Sequence, residues 1–598
     1  MRLPARIKAY RYGQFPRTHK FVCTPCRLAN EMPSFGRRRA GAMAVATAVL
    51  AALALRVVAL GDRTFHWDEA RVGYWVLQYA ATGEWAYRAI VHGPFLFHVD
   101  EFLFGLFGAS DAVARLPVAV VGALLPATAW LFRARLDDVE VAALAGLLAL
   151  NPVLVYYSRF VRSDVLVAAF SVAAVGFAVR ALDTRRGGYL VAAGAALGLA
   201  FTTKENALVY AAMFVGASAL LLDEQLFTAR ERGESFERVL HETVQRVGSG
   251  LFAWRRAVAG GVLAFLVVVV VFYAPRPEFY AALADPTRLP NAVAAGTAGA
   301  WTEFWSMWGV SGSASRQHSY IAFLADAVRT LGAASLMLVA AAVVGFLAER
   351  YVADEPRDLV LFAGYWAVAS VVVYPAITDI SGHWSVVHVV VPAAIPAAVG
   401  VRVVVDRGRS AYRSDDRVGV ALAALVLLAA VGQMGAVTAE TSYLMPQDDD
   451  NALVQYGQPG SQLDGAVDRI ERAAPANDGT DVLYYGSHFH VAGEYDPTDP
   501  DSVAGTNWFN RLPLPWYTER ADAVTDSTTR LTAPAAGNAT VSVETTSAPV
   551  VVTEAKDYRE VRDRLGPAYE GLTYELTATN TIIVVFVDTE AEGVTDPR

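Results

Sequence analysis

The chain has 598 residues, 54% of them hydrophobic and 18% charged, and a mean hydropathy of +0.32; that is more apolar side chain than a water-exposed surface accommodates, and it marks an integral membrane protein. The net charge of −9 is unevenly placed: from Glu440 to Arg598 there are 27 Asp/Glu against 10 Lys/Arg, a balance of −17, while the preceding chain stands at +8. An acidic tail on a basic membrane body argues against a nucleic-acid partner, and a cysteine content of two, Cys23 and Cys26, excludes a disulfide-rich scaffold, an iron–sulfur cluster and a four-cysteine zinc site.

Residues 1–40 are Arg-rich with scattered Pro and lack an apolar core, so they read as a cytoplasmic basic tail, with Met32 or Met43 as alternative starts, rather than a signal peptide. Windows of about 20 apolar residues, the length that crosses a bilayer, then recur near 41–60, 113–132, 139–157, 165–182, 188–203, 206–222, 257–274, 324–347, 359–376, 386–404 and 418–438. This predicts about eleven transmembrane helices, an all-α bundle over 41–440. Basic residues gather in every second loop: Arg37 to Arg39, Arg133 and Arg135, Arg185 and Arg186, Arg230 to Arg256, Arg350 and Arg357, and Arg407 to Arg417. The intervening loops are poorer, 61–112 holding only Arg63, Arg71 and Arg88. By the positive-inside rule the N-terminus is cytoplasmic and residues 441–598 lie outside, in a multi-pass protein of the cell membrane.

Residues 441–598 read as a small extracytoplasmic α/β domain. Val482 to Tyr485, Pro549 to Val552 and Thr581 to Asp588 are β-rich runs, and Ser461 to Ala474 and Ala555 to Leu565 have helical periodicity. Asn538-Ala-Thr540 is a glycosylation sequon. Lysine occurs only at 8, 20, 204 and 556, and the preference for Arg, with the acidic exterior, suits a high-salt organism.

Four stretches carry candidate chemistry. Loop 61–112 opens with Phe65-His-Trp-Asp68-Glu69-Ala-Arg71 and continues as an amphipathic helix at the interface; its two carboxylates either cap that helix or serve a site at the membrane surface. Tyr156-Tyr-Ser-Arg159-Phe-Val-Arg162-Ser-Asp164 is a tight turn whose charges are costly among apolar helices unless they face a polar cavity or each other, which reads as an anion pocket, against a reading of snorkelling arginines. Lys204, the lone lysine of the membrane body, follows Thr202-Thr203 and precedes Glu205, with which a plain ion pair is the competing account. His92 and Arg115 add outward-facing polar groups, His383, Trp384 and His388 form a cluster that reads as interfacial, and Trp301, Phe304, Trp305 and Trp308 recur at helical spacing, as in a surface helix covering a lipid groove. The charged groups share the outer rim of the bundle. That suits chemistry on a lipid phosphate, cations neutralising it while a carboxylate accepts a proton from an incoming hydroxyl.

The order Asp68-Glu69-Ala-Arg71, Ala114-Arg115-Leu-Pro117, Tyr157-Ser-Arg159 with Arg162-Ser-Asp164, and Gly198-Leu-Ala-Phe-Thr-Thr-Lys204-Glu205 resembles the GT-C membrane glycosyltransferases. Within these the sequence looks like the protein O-mannosyltransferase and aminoarabinose transferase superfamily, and more narrowly like the archaeal membrane proteins described as flippase-associated in N-glycosylation. The match covers roughly 41–220; Leu512-Pro-Leu-Pro-Trp516-Tyr517 in the tail is similar to the archaeal group alone. The resemblance implies that Asp68 is the catalytic carboxylate with Glu69 beside it, that Asp164 is the second acidic motif, and that Arg159, Arg162 and Lys204 face the lipid phosphate. His92 stands where the aminoarabinose branch has a lysine. A divalent cation, Mg or Mn, held by Asp68 and Asp164 is optional in this scheme. The implied activity is inverting transfer of a sugar from polyprenyl (dolichyl) phosphate to a glycan, lipid or protein acceptor outside the cell. The alternative is a non-catalytic protein that binds the lipid-linked sugar and assists its flipping. A solute transporter, which would carry its ionisable groups at the bilayer midplane, is the least favoured reading, and the missing Trp-Trp-Asp signature speaks against en bloc glycan transfer.

Overall fold

The structure, a computed structural model, describes residues 34–89, 93–231, 235–309, 318–378, 380–492, 506–532, 541–577 and 581–591. The Cys23 and Cys26 pair, His92 and the Asn538 sequon lie outside them.

Helix α1 (Ser34–Val57) crosses the bundle and is followed by two helices, α2 (Trp67–Thr82) and α3 (Phe95–Phe107), that belong to the connection between spans. The bundle continues with α4 (Asp111–Leu124, prolonged by a 3-10 segment to Phe132), α5 (Asp138–Leu150) and α6 (Pro152–Tyr157). Next come α7 (Asp164–Thr184), α8 (Gly188–Thr203), α9 (Ala207–Glu231), α10 (Phe236–Ala253) and α11 (Arg255–Tyr273). After short helices over 278–309, α12 (Tyr320–Tyr351), α13 (Asp358–Ile377), α14 (Val387–Arg413) and α15 (Arg417–Ala439) complete it.

Among the described residues nine helices are long and apolar enough to cross a membrane. The other two of the eleven expected spans exist as shorter helices: α8 has 16 residues, and the third is split into α5 and α6. The cause of the split is local. Pro152 has no N–H to continue α5 and occupies the first turn of α6, where that donor would be unused, while the Asn151 side chain accepts from Leu154 N at 3.3 Å. Burial grades the helices, with 83% of the most apolar window of α14 inside the protein and 6% of those of α11 and α15. Helix α14 is therefore the central post and α11 and α15 are rim helices whose side chains face outward.

Along the chain, the turns 133–137, 185–187 and 352–357 fall at one end with the paired arginines, and 58–89, 93–110, 158–163, 204–206 and 380–386 fall at the other. The sheet domain sits at this second end. Its strands β1 (Val482–Tyr485), β2 (Thr525–Thr528), β3 (Val550–Glu554), β4 (Tyr569–Thr577) and β5 (Thr581–Asp588) form one sheet in the order β2-β1-β3-β5-β4, parallel across the first three strands and antiparallel across the last three. One face buries Val482, Tyr484, Val550 and Val552 against Ile470 of α16 (Asp464–Ala473). The other buries Leu483, Val551 and Phe586 against Val561 of the helix Tyr558–Leu565. Because successive strand residues point to opposite faces, the β-rich runs supply two small cores.

Candidate active site

The site is assembled at the start of α2, which follows α1 after nine residues. His66 caps that helix, its Nδ1 accepting from Asp68 N at 3.0 Å, and Glu69 answers by accepting from His66 N at 2.9 Å, a reciprocal capping box. Successive residues of a helix point about 100° apart, so Asp68 and Glu69 face different surroundings.

Glu69 faces inward and is fully buried. Its carboxylate accepts from Arg115 Nε at 2.9 Å and Nη2 at 3.0 Å, from Arg63 Nη2 at 2.7 Å and from Val161 N at 2.8 Å, besides the His66 amide. Burial alone would raise its pKa; the guanidiniums of Arg115 and Arg63 outweigh that and hold it down to about 2. Both oxygens are saturated, so Glu69 is a tie between the first connecting loop, α4 and the 158–163 turn. This corrects its expected catalytic role. Arg115 is corrected with it, since its remaining contacts go to the carbonyls of Leu60 at 3.0 Å and Arg63 at 2.8 Å. Arg159 is corrected too. Its guanidinium donates to the carbonyls at the end of α1, including Val58 and Ala59 at 2.6 Å, and lies over the Tyr443 ring. A cation there satisfies orphan carbonyls of a helix terminus rather than a ligand.

Asp68 faces a cleft lined also by Arg71, Arg162, Asp164 and Lys204. Arg162 joins the two carboxylates, pairing with Asp68 Oδ2 and donating from Nε to Asp164 Oδ2 at 3.2 Å. Burial opposes the charge of Arg162, but Asp68 and Asp164 reverse that and raise its pKa. Arg71, one turn along α2, approaches Asp68 Oδ1 at 3.4 Å. Lys204 donates to Asp164 Oδ1 at 2.8 Å, not to Glu205, which instead accepts from the Tyr87 hydroxyl at 2.9 Å. The side chain of Asp68 keeps 17% of its surface exposed and that of Asp164 keeps 1%, so the first reaches the cleft while the second is the buried anchor of the cations.

Of the charged groups expected at the outer rim, Asp68, Arg162, Asp164 and Lys204 lie together in this one cleft. The structure adds Arg71, the Trp384 ring, which packs on Lys204 Nζ at 4.2 Å and lies 5.2 Å from Arg162, and His388, whose Nε2 is 3.3 Å from Asp164 Oδ1. His388 is fully buried, which corrects its interfacial reading; the signal available was its place four residues after Trp384, one helical turn on. Asp68 and Asp164 do not fit a bridging divalent cation. A guanidinium already lies between them, the neighbouring groups are cationic, and no cluster of three or more His, Cys, Asp or Glu suited to a metal occurs among the described residues.

Residues 463–588 match the family model described as the Agl23 flippase-associated protein C-terminal domain, and residues 91–231 match that of dolichyl-phosphate-mannose-protein mannosyltransferase. Among solved structures the chain is similar to ArnT from Cupriavidus metallidurans bound to undecaprenyl phosphate, with a TM-score of 0.53 and 19% identity over 93% of this chain and 99% of that one. The chain has the GT-C fold of that structure, and its similarity to the Agl23 flippase-associated proteins lies in residues 463–588. The apo state of ArnT gives a TM-score of 0.52 at 17% identity, covering 94% and 100% of the two chains. An archaeal oligosaccharyltransferase, AglB from Archaeoglobus fulgidus, superposes at a TM-score of 0.48 and 14% identity over 93% of this chain and 75% of that one. No curated protein matches. The fold expected from the loop motifs, a GT-C bundle followed by a small sheet domain, is the one found.

The sheet domain is fastened beside the site. In α17 (Leu514–Arg520), Trp516 Nε1, the Tyr517 hydroxyl and Arg520 Nη1 donate to Asp111 at the start of α4, at 2.8, 2.8 and 2.7 Å. Trp516 stacks on Phe65 with centroids 4.8 Å apart, and Tyr517 also accepts from Phe65 N at 2.8 Å. Gly73 of α2 lies under the same indole, where a Cβ would come within 2.7 Å of it. This gives a contact role to the Leu512–Tyr517 stretch.

Proposed function

We propose that this protein transfers a sugar from a polyprenyl (dolichyl) phosphate to a hydroxyl-bearing glycan, lipid or protein acceptor, with inversion at the anomeric carbon. The observation that carries the reading is one partly exposed carboxylate, Asp68, in a cleft with three cations at the end of a GT-C bundle. Asp68 accepts the acceptor's hydroxyl proton, and the oxygen so freed attacks the anomeric carbon. The bond from that carbon to the phosphate oxygen breaks, and its electron pair leaves with the polyprenyl phosphate. Arg162, Lys204 and Arg71 balance the charge on the departing phosphate, which is the main way a site of this kind lowers the barrier. Asp164 keeps Arg162 and Lys204 in place. The arginine distribution supports an orientation with the N-terminus in the cytoplasm and the cleft and sheet domain outside. ArnT has been solved with undecaprenyl phosphate, a donor carrier of the same chemical class, which supports the choice of lipid.

The test is incubation of the purified protein with labelled dolichyl-phosphate sugars and acceptor extracts from its own cell surface. Transfer is expected to release dolichyl phosphate and label the acceptor. Binding of the donor without release of free lipid phosphate, across the common hexose and pentose donors, would contradict the reading and leave a carrier-binding protein.

A further inference from the structure

Behind the cleft lies a buried polar chain for which the transfer scheme has no use. Tyr210 of α9, Tyr374 of α13 and His388 of α14 are all within the bundle, each at most 1% exposed. The Tyr210 hydroxyl lies 2.6 Å from His388 Nδ1, and His388 Nε2 lies 3.3 Å from Asp164 Oδ1. Tyr374 stacks flat on the imidazole, with centroids 4.3 Å apart and planes 7° from parallel. The ring is therefore held in plane by one tyrosine and in rotation by another.

Its tautomer follows from its neighbours. A carboxylate oxygen is an acceptor only, so the nitrogen facing Asp164 must carry hydrogen, and Nδ1 then accepts the Tyr210 O–H. The imidazole edge thus stands 3.3 Å from the oxygen of Asp164 that also receives Lys204, a close polar contact without hydrogen-bond geometry, while Arg162 takes the other oxygen. Asp164 alone could rotate about its side-chain torsions; with Lys204 and Arg162 donating to its two oxygens and the imidazole edge packed against Oδ1, it cannot do so without losing a contact. The same stretch presents Trp384 to Lys204 and Arg162 one turn earlier, so α14 and its leading turn support both the cations and the carboxylate that anchors them.

We propose that His388, set by Tyr210, is a positioning residue that fixes Asp164 and through it aims Arg162 and Lys204 at the lipid phosphate. The inference rests on the transferase reading for its phosphate, but it concerns binding of that phosphate and is measurable without turnover. Three variants test it in detergent-solubilised full-length protein: His388→Ala, His388→Gln, whose side-chain N–H can reach toward Asp164, and Tyr210→Phe. The readouts are the Kd for polyprenyl phosphate, and kcat and KM with a polyprenyl-phosphate sugar. His388→Ala is expected to weaken Kd and lower kcat/KM on the order of 10- to 100-fold, the usual scale for a group that orients a ligand-binding residue. His388→Gln is expected to recover most of both, and Tyr210→Phe to lose a few-fold, because it frees the ring without removing it. Should His388→Ala not fold, Tyr210→Phe and His388→Gln carry the test. Parental Kd and kcat/KM in His388→Ala, or His388→Gln as impaired as His388→Ala in a folded protein, overturns the proposal. Parental protein that binds the lipid but transfers nothing refutes the transferase reading while Kd still judges His388. Parental protein that does not bind polyprenyl phosphate overturns both.

Discussion

The region around Glu69 and the region around Asp68 are built from the same chemistry, carboxylates and guanidiniums on neighbouring helices, yet they are arranged for different ends. Around Glu69 the donors outnumber the oxygens they serve and solvent is excluded. Around Asp68 one carboxylate keeps an exposed edge, and the cations are anchored from behind by a second, buried one. A saturated cluster holds parts together and offers a ligand nothing; a cluster with excess cationic donors at a cleft can exchange a partner for a phosphate. The lesson is that charge content alone does not locate a site. What locates it is the share of hydrogen-bonding capacity still facing open space.

The comparison predicts opposite responses to substitution. Glu69→Ala leaves Arg63 and Arg115 buried without their anion and is expected to cost about 3–5 kcal/mol; thermal unfolding of the purified protein reads this, and a parental Tm would remove Glu69 from the structural role. Lys204→Met takes a cation from the cleft and is expected to weaken polyprenyl phosphate binding on the order of 10- to 100-fold, about 1.4–2.8 kcal/mol, with a smaller loss of thermal stability than Glu69→Ala because Arg162 still pairs with Asp164; unchanged affinity would mean the phosphate lies elsewhere.

Acid should act first on the cap between the two regions. Burial lowers His66 from 6.5 to about 4 although Asp68 beside it favours the charged form. The folded state therefore binds this proton less readily than the unfolded chain does. The associated stability is present above pH 6.5 and is lost as pH falls toward 4, where protonation of Nδ1 would also break its bond from the Asp68 amide. Glu69 acts lower, its contribution being present above 4.5 and lost as pH falls toward 2. Unfolding profiles of the parent and His66→Asn separate the two, the variant lacking the upper window; an identical profile over pH 4–6.5 would reject the assignment. A smaller effect is expected at the sheet domain's clasp. Asp111→Asn keeps one acceptor oxygen but removes the charge facing Arg520, and about 1 kcal/mol of stability should go with it, read as a lower Tm of the full chain.

Much of the site was visible in the sequence because the relevant residues are charged and stand where apolar spans end: Asp68, Arg162, Asp164 and Lys204 are costly at such places without a purpose. The errors have one cause. Glu69, Arg115 and Arg159 lie in the same motifs as the cleft residues, and adjacency along the chain does not say which way a side chain points round a helix. His388 was misread for the converse reason, a buried histidine in an apolar run looking like any residue near a span end. In the tail, β1, β3 and β5 were legible as runs of Val, Ile and Tyr, whereas β2 is the polar Thr525-Asp-Ser-Thr528, a strand held by its pairing with β1 rather than by its own preference.

The most direct test of the central contrast is to measure sugar transfer and thermal unfolding together for Asp68→Asn. The account predicts transfer reduced by about a hundredfold to ten-thousandfold with Tm close to that of the parent. Transfer at the parental rate would contradict it.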